Sequence, residues 1–256
     1  MTKAPAIFIG HGSPMNAIQE SGSTRAWAQL GQKYPAPKAI VAISAHWYTH
    51  GVRIMSNEKP ETIHDFGNFP QALYDMQYPA PGEPALASKI TNMLKPFNAK
   101  LDSTWGLDHG TWSILVHMYP KADIPVVQVS LDAMRSPAEH MDIGRALAPL
   151  REDNVLILAS GNIVHNLRAL NTLSGAAPWT ESFDNYITDA VRTHNETALL
   201  DYHKRPEAPL AAPDWEHFFP VFYAMGARLP GEKPTIMKKD PDRPGLTMSL
   251  FAYGVP

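Results

Sequence analysis

Four short apolar runs constrain this chain more than anything else in it: AIFI (6–9), AIVAIS (39–44), PVVQVS (125–130) and NVLILAS (154–160). Each is rich in β-branched residues and apolar almost without interruption, with turn-forming Gly, Pro, Asp or Asn close to its ends. A strand with one wet face alternates polar and apolar residues, whereas a strand covered on both faces has no polar side to show. Helical patterns lie between the runs. They are RAWAQLGQK after Ser23-Thr24, ALASKITNML from Pro84, TWSILVHMY after His109 and AEHMDIGRALAPL from Pro137. A long helix is expected from Thr180 through Leu200, and another after Asp214, with Pro220 inside it. This alternation predicts an α/β fold in which a central, mostly parallel or mixed sheet carries helices on both faces. LTMSLFAY (246–253) alternates better and is expected to be an antiparallel edge strand. No repeat or linker-like stretch divides the chain, so residues 1–256 are expected to form a single catalytic domain.

Composition removes several function classes. The 256 residues contain no cysteine, which excludes disulfides, thiolate metal sites and cysteine nucleophiles together. A net charge of -3 offers no basic surface for nucleic acid or anionic lipid. The start MTKAPAIF lacks the apolar stretch of a signal peptide, and no run reaches membrane-spanning length. A cytoplasmic protein without nucleic-acid or membrane partners is expected. Walker and dinucleotide fingerprints are missing, and GHGSP is not a nucleophile elbow. Ser13 and Ser44 therefore read as turn or supporting residues. The 11 histidines, by contrast, suffice to build a metal site without sulfur.

Ligands of open α/β sheets bind beyond the carboxyl ends of the strands. His11 follows the first apolar run, between Gly10 and Gly12; His46 follows the second; His165 lies five residues past Ser160, at the end of the fourth. His109 sits in WGLDHGTW just before a helical pattern, and His217 lies near the start of the Asp214 helix. A lone loop histidine is usually a hydrogen-bonded turn residue. Several of them in Gly-, Ser- and Asn-rich turns after buried strands point to a metal site in an α/β protein. His64 is flanked by Asp65 and a turn, while His50, His117, His140, His194 and His203 read as surface or packing residues. Trp47, Tyr48, Phe66, Phe69, Trp105, Trp112 and Phe218 flank the histidine motifs, either as core or as walls for a flat aromatic ligand.

Taken in order, GHGSPMN (10–16), SAHW (44–47), TIHDFGNFPQALYDMQYPAPG (62–82), WGLDHGTW (105–112), VVQVSLD (126–132) and ASGNIVHNLR (159–168) resemble the class III extradiol aromatic ring-opening dioxygenases. Within that family they are most similar to the bacterial branch known as 4,5-DOPA dioxygenase extradiol. The likeness runs from residue 6 through HFFPVFYAMGA (217–227). It implies one divalent metal ion per chain, Zn2+ or Fe2+, with Fe2+ expected for turnover. His11 and His46 match the family's first two ligands, and His217, next to Glu216, matches the third. His165 matches a residue assigned either as a ligand or as the catalytic acid/base. His109 matches a second active-site histidine, and a direct role for His64 is less expected. The implied activity is opening of a catechol such as L-DOPA by 4,5-cleavage with O2. The alternatives are a zinc-dependent hydrolase on the same scaffold, or a non-catalytic binding relative. Oligomeric state is left open.

Overall fold

The computed structural model describes residues 3–34, 36–173, 177–237 and 244–254. Its centre is an eight-stranded mixed sheet. In chain order the strands are β1 (Ala6–Gly10), β2 (Ala39–Thr49), β3 (Arg53–Met55), β4 (Lys100–Asp102), β5 (Val126–Asp132), β6 (Val155–Gly161), β7 (Thr235–Met237) and β8 (Leu250–Tyr253). They lie in the spatial order β4-β3-β5-β2-β6-β1-β8-β7. The four apolar runs of the sequence became β1, β2, β5 and β6, which stand side by side and run parallel. Their carboxyl ends therefore share one edge of the sheet.

The helices are α1 (Gly22–Lys33), α2 (Gln71–Tyr74), α3 (Pro84–Met93), α4 (His109–Met118), α5 (Pro137–Leu147), α6 (Leu167–Thr172), α7 (Pro178–Thr193), α8 (Glu196–Leu200), α9 (Ala208–Ala211) and α10 (Pro220–Gly226). They cover both faces of the sheet. Val41 and Ile43 of β2 join one core with α3, α5, α7 and α10. Ile40 and Ala42 join the other with Trp27 and Leu30 of α1 and Trp112 and Leu115 of α4. This two-sided burial is why the central strands show no alternation. Each large aliphatic side chain so buried contributes about 1.5–3 kcal/mol relative to leaving it exposed.

Four expectations need correction. β2 does not stop at Ser44; it continues to Thr49 through a register shift against β5 between Ile43 and Tyr48. His46 thus lies inside the strand, at an irregularity that turns side chains toward the site. The expected Thr180–Leu200 helix begins at Pro178 and breaks after Thr193. There His194 takes a left-handed conformation (φ 54°), and Asn195 then caps α8 by accepting from the Ala198 amide. The helix expected from Asp214 divides as well: Trp215–His217 form a single 3-10 turn, and Pro220 opens α10, where its missing N–H breaks no bond. Finally, LTMSLFAY supplies only β8, antiparallel to β1, and β8 is not an edge because β7 pairs along its other side.

Helices α5 and α10 cross closely. A Cβ at Gly226 would collide with the carbonyl oxygen of Met141, and one at Gly144 would lie 2.5 Å from that of Tyr223. Gly226→Ala should therefore destabilise the protein by about 1–3 kcal/mol, despite its better helix propensity. Urea denaturation checks this, and a stabilised variant would contradict the crossing.

Candidate active site

The loop after β1 answers why a histidine stands between two glycines. Gly12 has φ +63°, and a Cβ there would meet Met248 Sδ at 2.5 Å. The Gly12 amide donates to Asn162 Oδ1, and Asn16 Nδ2 donates to the carbonyl of His11. The imidazole of His11 is thereby held beyond the end of β1 and is fully buried. Ser13 does what a turn serine does, accepting from the Met15 amide.

His46, His109 and His217 come to the same place. Ring centroids are 4.9 Å apart for His11 and His46, 5.4 Å for His11 and His217, and 5.0 Å for His46 and His217. His109, the first residue of α4, lies 3.9 Å from His46 and 5.7 Å from His11. His165 stacks flat on His217, 3.6 Å away with planes 3° apart. All five expected site histidines are therefore gathered at the carboxyl edge of the parallel strands. Donor nitrogens of His11, His46 and His109 all lie within 4.8 Å of one another, a set that could hold a metal ion.

The nitrogens facing away from the centre have partners. His11 Nδ1 lies 2.9 Å from Ser160 Oγ, and His217 Nδ1 lies 3.2 Å from Glu216 Oε1. Asp65 Oδ2 lies 3.1 Å from His46 Nδ1 and 3.0 Å from His109 Nδ1, while Asp65 Oδ1 accepts from the His109 amide at 2.9 Å. The two Oδ2 contacts are close without being aligned hydrogen bonds, which leaves that oxygen and His109 Nδ1 buried with no aligned partner. His165 has no ring partner of this kind among the described residues; its backbone amide donates to the carbonyl of Ala211.

Burial, followed by the neighbouring imidazoles, holds His11 and His46 well below the usual imidazole range. The same causes, with His217 the leading neighbour, bring His165 down to about 2. These rings are neutral near pH 7. Burial alone would raise Asp65, but its contacts with His109 outweigh this and hold it below the usual carboxylate range. Asp108 is driven upward, by burial first and then by Asp65. It caps α4 and accepts from Ser44 Oγ at 2.6 Å and from Gln128 Nε2 at 2.8 Å. Ser44 is thus a support beneath the site.

The arrangement suits a divalent cation. Ser160, which donates to the carbonyl of Gly110, favours a proton on the Nδ1 atom of His11, which turns the Nε2 lone pair of that ring inward. The Nε2 atoms of His11 and His46 are only 3.1 Å apart. At that distance one ring donates a hydrogen bond to the other; a cation held by both would replace the shared proton, and neutral imidazole is a ligand for Zn2+ and Fe2+ alike. A histidine whose outer N–H meets a carboxylate or a hydroxyl is the usual supported ligand.

A family model described as the catalytic LigB subunit of aromatic ring-opening dioxygenase matches residues 5–242. The chain belongs to this family. Curated relatives agree. A protein of Escherichia coli K12 named 4,5-DOPA dioxygenase extradiol is 45% identical over 259 aligned positions, covering 99% of this chain and 96% of its own. One of the same name from Beta vulgaris is 38% identical, covering 96% and 94%. The crystal structure of an uncharacterized protein from Escherichia coli K12 superposes with a TM-score of 0.85 at 38% identity, over 98% of this chain and 99% of that one. This member of the LigB family is an extradiol ring-cleaving dioxygenase, and its fold is the family's.

The remaining expected residues divide clearly. His64 Nε2 lies 3.0 Å from the carbonyl of Met76, and its ring packs among Phe66, Tyr74 and Trp112, away from the metal-type cluster. Trp47 stacks on Trp105, while Trp112 and Phe218 are core. Phe66 is the flanking aromatic that meets a site histidine, edge-on to His109 at 5.5 Å. In the sequence Asp65 stands out only as a neighbour of His64, and Ser160 only as a strand residue. A carboxylate inside a histidine motif was the available signal for Asp65; Ser160 gave none. Asp65→Ala should loosen His46 and His109 together, and Zn2+ affinity is expected to fall about 10- to 100-fold in a chelator competition assay. Wild-type affinity in that variant would remove Asp65 from the site.

No helix among the described residues is long and apolar enough to cross a membrane.

Proposed function

We propose that this dioxygenase is a divalent-metal enzyme that opens a catechol of the L-DOPA type by 4,5-cleavage, with O2 as co-substrate and both of its oxygen atoms entering the product. The observation that carries the reading is the pair of inward Nε2 atoms of His11 and His46, 3.1 Å apart, with His217 and His109 against them. Relatives bearing the name 4,5-DOPA dioxygenase extradiol, from a bacterium and from plants, support the substrate class. Residues 1–256 are read as one catalytic domain, since one sheet collects strands from Ala6 to Tyr253.

In this reading His11, His46 and His217 hold the metal through Nε2. The Nδ1 of His217 is occupied by Glu216, which leaves its other nitrogen for the site. His109 belongs to the tight donor set with His11 and His46, and its N-terminal place on α4 lets it serve instead as the residue that holds substrate or oxygen. A redox-active metal such as Fe2+ would supply catechol acidification and charge transfer between diol and O2, a redox role Zn2+ lacks. His165, with no hydrogen-bond partner at its ring nitrogens among the described residues, is placed to take the second diol proton and return it as the ring opens, the negative charge of the bound diol offsetting the burial and crowding that lower its basicity. Phe66, edge-on to His109, offers an aromatic wall to a flat ring.

Two measurements test this. Ala substitution at His11, His46 or His217 should abolish stoichiometric metal binding, whereas His165→Ala and His109→Ala should keep the metal and lose turnover. Metal retained in His217→Ala but lost from His109→Ala would move the third ligand to His109. Oxygen uptake with L-DOPA, accompanied by a yellow ring-opened product, is expected after anaerobic Fe2+ loading and not with Zn2+. No uptake with either metal bound, across several catechols, would overturn the proposed substrate and reaction and leave an unrecognised substrate or zinc-dependent hydrolysis.

A further inference from the structure

We propose that Ser160 is a positioning residue that fixes His11 in the tautomer whose Nε2 lone pair faces the site, with the carbonyl of Gly110 as its anchor. Ser160 Oγ lies 2.5 Å from Gly110 O and 2.9 Å from His11 Nδ1. A carbonyl oxygen only accepts, and a hydroxyl has one hydrogen to give. That hydrogen goes to Gly110, so Oγ is left to accept from His11. The proton of His11 must then sit on Nδ1, and its lone pair on Nε2. Ser160 is 0% exposed and His11 1%, so water does not compete for either contact.

Both ends of this relay are fixed. Parallel pairing of β1 with β6 sets Ile9 opposite Ser160 and Gly10 opposite Gly161, and the His11 amide then donates to the carbonyl of Gly161. The strand register thus delivers the hydroxyl to the ring. Gly110, the second residue of α4, cannot shift toward β2: a Cβ there would lie 2.5 Å from Ser44 Oγ and 2.9 Å from His46 Cδ2. One hydroxyl consequently ties the end of β6 to His11 and to the helix start that carries His109. Any buried hydroxyl needs an acceptor, and Gly110 supplies it; a serine present only for packing would need no second partner. Here His11 is that second partner, in a strand whose other core residues are apolar.

The inference rests on the reading of His11 as a metal ligand, and the tautomer can be measured without metal. In the metal-free full-length protein labelled with 15N-histidine, long-range 1H–15N spectra should show His11 protonated at Nδ1, with its signals assigned by loss in His11→Gln. Ser160→Ala should turn this into a tautomeric mixture and lower Zn2+ affinity about 10- to 100-fold. Ser160→Thr, which keeps the hydroxyl, should restore both. Ser160→Ala with an unchanged tautomer and wild-type affinity, even if thermal stability falls, would overturn the proposal and leave Ser160 a packing residue. Unchanged Zn2+ affinity in His11→Ala would instead overturn the ligand reading itself, while the metal-free tautomer still tests Ser160 separately.

Discussion

The site depends on one electrostatic constraint: several imidazoles share a buried space too small for them to be charged together. Burial and mutual repulsion hold His11, His46 and His165 in the neutral form. A neutral imidazole has one N–H and one lone pair, so the arrangement is stable only if every ring knows which nitrogen is which. The surrounding partners supply that information. Ser160 serves His11 and Glu216 lies against His217, while the Asp65 carboxylate stands close to both His46 and His109. The inward Nε2 atoms of His11 and His46 then lie close enough for a shared proton, or a cation in its place, to join them.

The fold makes this crowding possible because four parallel strands end together. β5, β2, β6 and β1 are adjacent, so their following residues converge on one edge without long connections across the sheet. Helix α4 begins at the same edge, and its N-cap, Asp108, is bound from beneath by Ser44 and Gln128. The two apolar cores on either face keep the strands from moving relative to one another. A rigid sheet under a polar edge is what allows nitrogen atoms to be held 3.1 Å apart.

His165 stands apart from its neighbours. It stacks flat on His217 and has no hydrogen-bond partner at its ring nitrogens among the described residues, whereas the other four site histidines each have an outer contact. A ring tied at one nitrogen is suited to holding a ligand in place. A ring with both nitrogens free is suited to exchanging a proton. The two roles expected for histidines in this site thus meet two kinds of surroundings, and His64, packed among aromatics and bound to the carbonyl of Met76, has neither.

The sequence by itself determined the layer architecture and the roster of histidines. Two-sided burial leaves continuous apolar runs, and residues just after such runs must lie at the sheet's edge. It could not determine which residues support the histidines. Asp65 reaches His46 across 19 positions and His109 across 44, and Ser160 reaches His11 across 149; no local pattern records contacts made by strand order and register. The extension of β2 through His46 was equally hidden, because a register shift is settled by the neighbouring strand. Helix ends went the same way: Pro220 and His194 each stood inside an expected helix, and the structure breaks the chain at both. Local periodicity wrote the elements, and the pairing of β1, β2 and β6 decided which polar atoms would meet at their ends.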